Sequence, residues 1–312
     1  MKLHPTDGFD NAARHYRHIE ARPLAAAMGA EICGVSVADV TDEQFAEIRA
    51  ALFHHKMIYF RGQQMTHADH EAFSLRFGAF AEDAYTKGVP SHVNVHPLIR
   101  EADDASVMVF GSGWHTDSPF LAEPPSITSL RSVQIPPFGG DTIWANSALA
   151  YRTLSPAYRQ LIAGLQVRFS MRDVLQSAQA SAVENDTPLG KLSALKHAAS
   201  LPEDVLRKVR GNTHPLVRTH AITGEKSLYL DSSYGVGIDG MTPAEAAPLL
   251  QYLCEHITQP AFTCRLRWEP DMLALWDNRL CIHQAFNDYQ GYRREMYRTT
   301  IAGEVPAGGL LR

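Results

Sequence analysis

No stretch of the 312-residue chain approaches the ~20 consecutive apolar residues needed to cross a bilayer. The start, Met1-Lys2-Leu3-His4-Pro5, leads into polar sequence and not into the apolar run of a secretory signal. Cysteine is scarce: Cys33, Cys254, Cys264 and Cys281 are scattered and form no C-x-x-C pair, which argues against zinc ribbons and disulfide scaffolds. Basic charge is not in excess, since 29 Lys plus Arg against 34 Asp plus Glu leave a net charge of −5. A nucleic-acid binder would carry the opposite balance to neutralise phosphates. No G-x-G-x-x-G follows a strand, and the regular βαβ alternation of a dinucleotide fold is missing. Repeats and low-complexity tracts are also lacking. What remains is ordinary globular composition, 45% hydrophobic and 20% charged, in a chain long enough to bury a large core. A cytoplasmic protein with reduced, mostly buried thiols and a small-molecule partner, without nucleic acid or membrane, is the expectation.

Polar residues 1–20 read as a flexible N-terminal segment, and 21–312 as a single domain. Thr41-Asp42-Glu43-Gln44 has the form of a capping box, followed by Phe45, Ile48 and Leu52 at helical spacing. Thr66 predicts a cap for a second helix through Phe73 and Phe77, stopped at Gly78. Ser155-Pro156 opens another helix, and Thr242-Pro243-Ala244-Glu245 is a further capping box. Pro248 lies inside that last pattern, so a kink is expected there. The rest is strand-like: Met57–Phe60, His214–His220 and Ser227–Leu230 around the hairpin signal Thr223-Gly224-Glu225-Lys226, Cys264 to Trp268, Met272–Trp276, Leu280–His283 and Arg294–Ala302. Many short strands with a few helices outside indicate a mainly β fold, a sandwich or barrel with flanking helices. The segment 81–113 lacks a clear period, and 171–212, rich in Ala, Ser and Lys, reads as a helical or mobile insertion; both are candidate lids.

Fifteen histidines generate accidental clusters. His67 and His70 share a helical face but read as solvated surface residues, while His54-His55, His92/His96 and His214/His220 complete no set. Trp114-His115-Thr116-Asp117 differs. On an extended segment His115 and Asp117 project from one face, supplying two of the three ligands of a 2-His-1-carboxylate iron site. A His–Asp hydrogen bond at a strand edge is the plain reading of H-x-D alone. Trp276-Asp277-Asn278-Arg279-Leu280-Cys281-Ile282-His283 raises the odds, because His283 after an apolar strand is a natural third ligand. Arg294, Met296 and Arg298 share a face if 294–302 is a strand, and two inward arginines need anionic partners. Gly139-Gly140-Asp141-Thr142 allows a tight turn into a strand, with the Thr142 hydroxyl a further donor to such an anion.

Together, H-x-D, G-G-D-T, W-D-N-R-x-x-x-H and the following arginines resemble the TauD/TfdA family of Fe(II)- and 2-oxoglutarate-dependent dioxygenases over most of the chain. The resemblance implies a double-stranded β-helix (jelly roll) with Fe(II) held by His115, Asp117 and His283. It implies that Thr142 and Arg294 hold the distal carboxylate of 2-oxoglutarate, O2 being the other co-substrate. Arg298 matches an arginine that binds the acidic group of the primary substrate. Taurine-oxidising relatives carry a sulfonate-binding His shortly after the Phe-Gly ending the second helix; counted without a gap from Phe77-Gly78, this chain has Asp83 there. Their Asn four residues before the first ligand is Gly111 here. Both departures point away from taurine, while the retained Arg298 favours an anionic group such as another sulfonate, a sulfate ester, an aryloxyalkanoate or a related acid. Asp83 as a substrate contact would favour a cationic or hydrogen-donating group as well. A homo-oligomer, dimer or tetramer, is also implied. The alternative is a non-oxygenase β-barrel in which the same three ligands hold a hydrolytic or structural metal, which gives the arginine pair no purpose.

Overall fold

The computed structural model describes residues 8–82, 86–104, 111–171 and 210–308. Its largest sheet has seven strands in the order β1 (Glu20–Pro23), β2 (Ala30–Cys33), β3 (Met57–Phe60), β13 (Leu273–Asp277), β5 (Ile127–Gln134), β15 (Arg294–Ile301) and β4 (His96–Arg100). All neighbours are antiparallel except β2 and β3. A three-stranded sheet orders β12 (Thr263–Leu266), β6 (Thr142–Asn146) and β14 (Cys281–Ala285). Another orders β11 (Gly235–Ile238), β7 (Gln166–Phe169) and β8 (Asn212–Pro215), and β9 (Val217–Thr219) pairs with β10 (Lys226–Leu228).

Strands β3 and β13 are apolar almost without interruption because both faces of the large sheet are covered there. Met57, Tyr59, Ala274, Trp276 and Met296 join a core shared with Trp144, Ala145, Leu266, Ile282, Val167 and Phe169 of the smaller sheets. Ile58, Phe60, Leu273, Leu275 and Ile301 point the other way, onto Ile48, Ala51, Leu52 and Phe73. Those last four belong to α1 (Asp42–His55) and α2 (His67–Leu75). Alternation at period two thus assigns each strand residue to one of two cores, and the Trp144 and Trp276 rings meet between sheets at 5.5 Å.

The capping signals act as read. Thr41 with Gln44 boxes the start of α1, and Thr66 with Asp69 boxes α2. Asn146 caps α3 (Ser147–Thr153), Ser155 caps α4 (Pro156–Ile162), and Thr242 with Glu245 boxes α5 (Pro243–Ile257). Helix α5 runs on through Pro248 without a break. Helix α2 stops at Leu75, three residues short of Gly78, after which Phe77 packs on Phe45 at 4.8 Å.

Other expectations change with tertiary context. His70 is not a surface residue: it is wholly buried against Ser129, Nε2 to Oγ 2.9 Å, and burial pushes its pKa down to about 3. The run 214–220 is two strands in different sheets. Pro215 has no N–H, and Leu216 is diverted to bond Leu165 through its amide and Tyr229 through its carbonyl. Residues 8–19 are tied down. Asn11 donates to the Ala25 and Gly29 carbonyls, and the Glu47 carboxylate accepts the amides of Arg17, His18 and Ile19. Within 81–113, residues 96–100 form the edge strand β4. Residues 83–85 and 105–110, and nearly all of 171–212, lie outside the described residues.

Behind the sheets, Asp277 at the end of β13 accepts from Arg279 Nε (2.8 Å), Arg279 Nη2 (2.7 Å) and His220 Nε2 (3.0 Å), and is fully buried. Burial alone would raise its pKa, but Arg279, with His220, holds it well below the usual carboxylate range. A depressed carboxyl contributes stability above its unfolded value of about 4 and loses it as pH falls toward its folded value. Asp277→Asn is therefore expected to cost about 3–5 kcal/mol at pH 7. The deficit should shrink as pH falls below about 4, where the unfolded chain's Asp277 takes up a proton that the folded one still refuses. Urea unfolding at both pH values checks this; an equal deficit at each would contradict it.

Candidate active site

The loop after residue 110 is fastened to the free edge of β14. Ala285 N–H donates to the Gly111 carbonyl (2.8 Å) and Gln284 Nε2 to the Ser112 carbonyl (2.6 Å). His115 and His283 exchange both main-chain hydrogen bonds, at 2.9 and 2.7 Å. This places their rings 4.1 Å apart and puts Asp117, two residues on, over the same spot. Nε2 of His115 and Nε2 of His283 each lie 3.9 Å from Asp117 Oδ1. All three ligand atoms fall within 4.8 Å of one another, in three buried residues.

Protonation suits a cation. The Nδ1 of His115 lies 2.7 Å from the Gly113 carbonyl, an acceptor only, so this nitrogen carries the proton and Nε2 the lone pair. Burial lowers the pKa of both His115 and His283, the second further because the first is beside it. Burial would raise that of Asp117, but His283 and Arg298 outweigh it and keep the carboxylate ionised. Two neutral imidazoles and one carboxylate converging within 4.8 Å fit Fe(II), and three protein ligands leave further positions of that ion for other groups.

Two arginines on the inner face of β15 complete the surroundings. Arg294 is 8% exposed, donates Nη2 to the Gly140 carbonyl at 3.1 Å, and its Nε has no hydrogen-bond partner among the described residues. Its pKa is lowered by burial, and among the described residues no carboxylate lies within ion-pair reach of it. Asp141, the near acid, is engaged by Arg265 at 2.7 Å. A buried guanidinium in that state favours an incoming carboxylate. Thr142 is buried at the head of β6, where its Oγ1 accepts from Trp268 Nε1 (2.9 Å) and keeps its own proton to donate. The turn before it needs glycine: at Gly139 (φ +74°) a Cβ would lie 2.4 Å from the Asp288 carbonyl oxygen.

Four residues along β15, Arg298 Nη1 stands 3.5 Å from Asp117 Oδ1. Directly opposite Arg298, on β4, is His96, buried with Nδ1 2.8 Å from Thr86 Oγ1. Sequence reading set His96 aside with His92 as completing no set, and its gapless count fell on Asp83, which lies outside the described residues. The clue was the strand-like His96-Pro97-Leu98-Ile99 further along. Asp231 was also missed. It sits behind the loop, accepting the amides of Thr116, Ser233 and Tyr234, and burial pushes its pKa up to about 7.

A family model described as "Taurine catabolism dioxygenase TauD, TfdA family" matches residues 20–300. The chain belongs to that family. It is 34% identical over 305 residues to an alpha-ketoglutarate-dependent sulfate ester dioxygenase of Pseudomonas putida, covering 95% of this chain and 93% of the relative. An alkylsulfatase of Acinetobacter baylyi is 30% identical, covering 94% and 87%. The crystal structure of a taurine dioxygenase from Burkholderia xenovorans superposes with a TM-score of 0.75 at 35% identity, covering 94% and 93%. The protein is an Fe(II)- and 2-oxoglutarate-dependent dioxygenase with a jelly-roll fold, and O2 is its second co-substrate. The non-oxygenase barrel is thereby set aside. Among the described residues no helix is long and apolar enough to cross a membrane.

Within this TauD/TfdA member, Gly111 has a local cause. Its φ is +81°, and a Cβ there would stand 3.2 Å from His115 Cε1. Gly111→Ala is expected to cost about 1–2 kcal/mol through left-handed strain. It should also shift the His115 imidazole resonances; unchanged melting and unchanged resonances would refute the crowding.

Proposed function

We propose that this dioxygenase hydroxylates a small organic anion, an alkyl sulfate ester first among the candidates. In this reading His115, Asp117 and His283 hold the iron, and Arg294 with Thr142 holds the distal carboxylate of 2-oxoglutarate. Arg298 and His96 hold the acidic group of the primary substrate. The observation that carries it is the spacing on β15. Arg294 and Arg298 share a face but are four residues apart, about 13 Å along a strand, too far to serve one small carboxylate. Two anions of different identity, flanking one metal site, account for both.

Bound Fe(II), 2-oxoglutarate and O2 supply the oxidising chemistry: the oxoacid leaves as succinate and CO2, and a C–H bond becomes C–OH. The protein's part is placement. Arg294 receives a carboxylate with its planar fork in a dry site, where the charge interaction is strongest. Thr142 adds a directed hydroxyl. Arg298 and His96 sit cross-strand at the opposite end and fix the substrate head group, so that the carbon next to it is the one presented. The 34%-identical sulfate ester dioxygenase and the alkylsulfatase favour sulfate over sulfonate. Hydroxylation of the carbon bearing a sulfate oxygen leaves a centre that sheds sulfate, which gives a second readout.

Succinate formation should be stimulated by alkyl sulfates more than by sulfonates, aryloxyalkanoates or neutral alcohols, with sulfate released in step. Stimulation by neutral compounds alone would sink the anion reading. Arg294→Ala is expected to raise the KM for 2-oxoglutarate at least tenfold while the substrate KM changes little. His96→Ala should do the reverse. Steady-state kinetics varying each component separately decides; if both variants alter only the 2-oxoglutarate KM, the two-anion division is wrong. Asp83, for which the sequence count proposed a substrate contact, is tested in the same series by Asp83→Ala.

A further inference from the structure

The W-D-N-R segment has an apparent purpose in Asp277 and Arg279, whose ion pair stiffens the turn between β13 and β14. Asn278, between them, is not accounted for by that pair. It is 2% exposed, and every polar atom it owns is engaged. Its amide N–H donates to the Ser126 carbonyl at 2.9 Å. Its carbonyl accepts the hydroxyl of Thr116, the residue between His115 and Asp117, at 2.9 Å. Its side-chain oxygen accepts from Trp276 Nε1 at 3.0 Å, and its side-chain Nδ2 donates to Thr128 Oγ1 at 2.8 Å. Thr128 Oγ1 in turn bonds Asp117 Oδ2.

We propose that Asn278 and Thr128 are positioning residues that make Asp117 present a single oxygen to the metal. The direction of each bond is forced. Indole N–H only donates, so the atom of Asn278 facing Trp276 is Oδ1 and the atom facing Thr128 is the amide nitrogen. Thr128 has one proton; accepting from Asn278, it turns that proton to the ionised carboxylate of Asp117. Oδ2 is thereby occupied, while Oδ1 alone faces the two Nε2 atoms at 3.9 Å each. Trp276, at the head of the chain, also packs its ring 4.7 Å from that of His283. One residue thus ties the carboxylate ligand, the loop that carries it and the strand of the third ligand into one rigid unit. The chemical consequence concerns vacancy: an oxygenase site needs positions for a chelating co-substrate and for O2, and a carboxylate that swung to offer both oxygens would take one.

The inference rests on His115, Asp117 and His283 being the ligands, and the test separates the two. Co(II) alone is titrated into the protein, following affinity and the visible absorption that reports coordination. Thr128→Val, close to isosteric but without the hydroxyl, should weaken Co(II) binding 10- to 100-fold and alter the spectrum. Thr128→Ser should restore both. Asn278→Asp places an acceptor where Nδ2 donated, turns the Thr128 proton away from Asp117, and should behave like Thr128→Val; it carries the test if that variant does not fold, as judged by circular dichroism. Wild-type affinity and spectrum in Thr128→Val and Asn278→Asp, with binding lost in Asp117→Ala, would overturn this inference alone. Wild-type binding in Asp117→Ala would overturn the ligand assignment and this inference with it.

Discussion

Two main-chain hydrogen bonds between His115 and His283, 2.9 and 2.7 Å long, attach an irregular loop to the edge of a three-stranded sheet. They bring together residues 168 positions apart in the chain and bring the two imidazoles within 4.1 Å. Asp117 reaches the same point only because its loop is held to that edge. The rest of the site is arranged around the fixed edge. Gly111 keeps a side chain away from the His115 ring, Thr116 and Asp231 hold the loop from behind, and β14 is paired along its other side by β6.

Such a centre places charge where water does not reach, and each charge is handled differently. Asp277 is answered locally by Arg279 and His220, which makes it a structural pair. Asp117 is answered in part by Arg298 and by the Thr128 hydroxyl, and faces two neutral imidazoles, so it retains affinity for a cation. Arg294 has a carbonyl, the Tyr289 ring and an engaged acid beside it and, among the described residues, no carboxylate in ion-pair reach, so it keeps its affinity for an anion. Buried charges with complete partners build the scaffold, and those with incomplete partners mark where ligands are needed. That distinction separates the His220–Asp277 contact from the His115–Asp117–His283 cluster, although both are buried His–Asp sets.

The seven-stranded sheet connects these parts. Its inner face carries Arg294, Met296 and Arg298 in a row on β15, with Arg100, Leu98 and His96 opposite on β4. Its outer face is covered by α1 and α2 through Ile48, Leu52 and Phe73. A sheet packed on both faces cannot slip its register without exchanging one core for the other. The spacing between the two arginines is therefore fixed by the fold and does not depend on their side chains alone.

Much of this could be read in the residues themselves. Capping boxes depend on three or four neighbouring positions, and Thr41, Thr66 and Thr242 start their helices where the local chemistry says. Period-two projection placed His115 and Asp117 on one face, and the β15 row followed from the same rule. What the sequence hid depends on contacts between distant segments. His70 shares its helical spacing with His67, yet it is buried because β5 and β15 supply Ser129 and Thr299 beneath it. His96 stands opposite Arg298 through strand pairing across an irregular connection of a length that counting along the chain could not supply. Asn278 was visible as a letter in a motif, but its bonds run to Ser126, Thr116, Thr128 and Trp276, three of them more than a hundred residues away. Local chemistry determined which elements form and which side chains point together; only the packed sheets decided which of those side chains meet, because hydrogen-bonded register, unlike helical or strand periodicity, is a relation between remote parts of the chain.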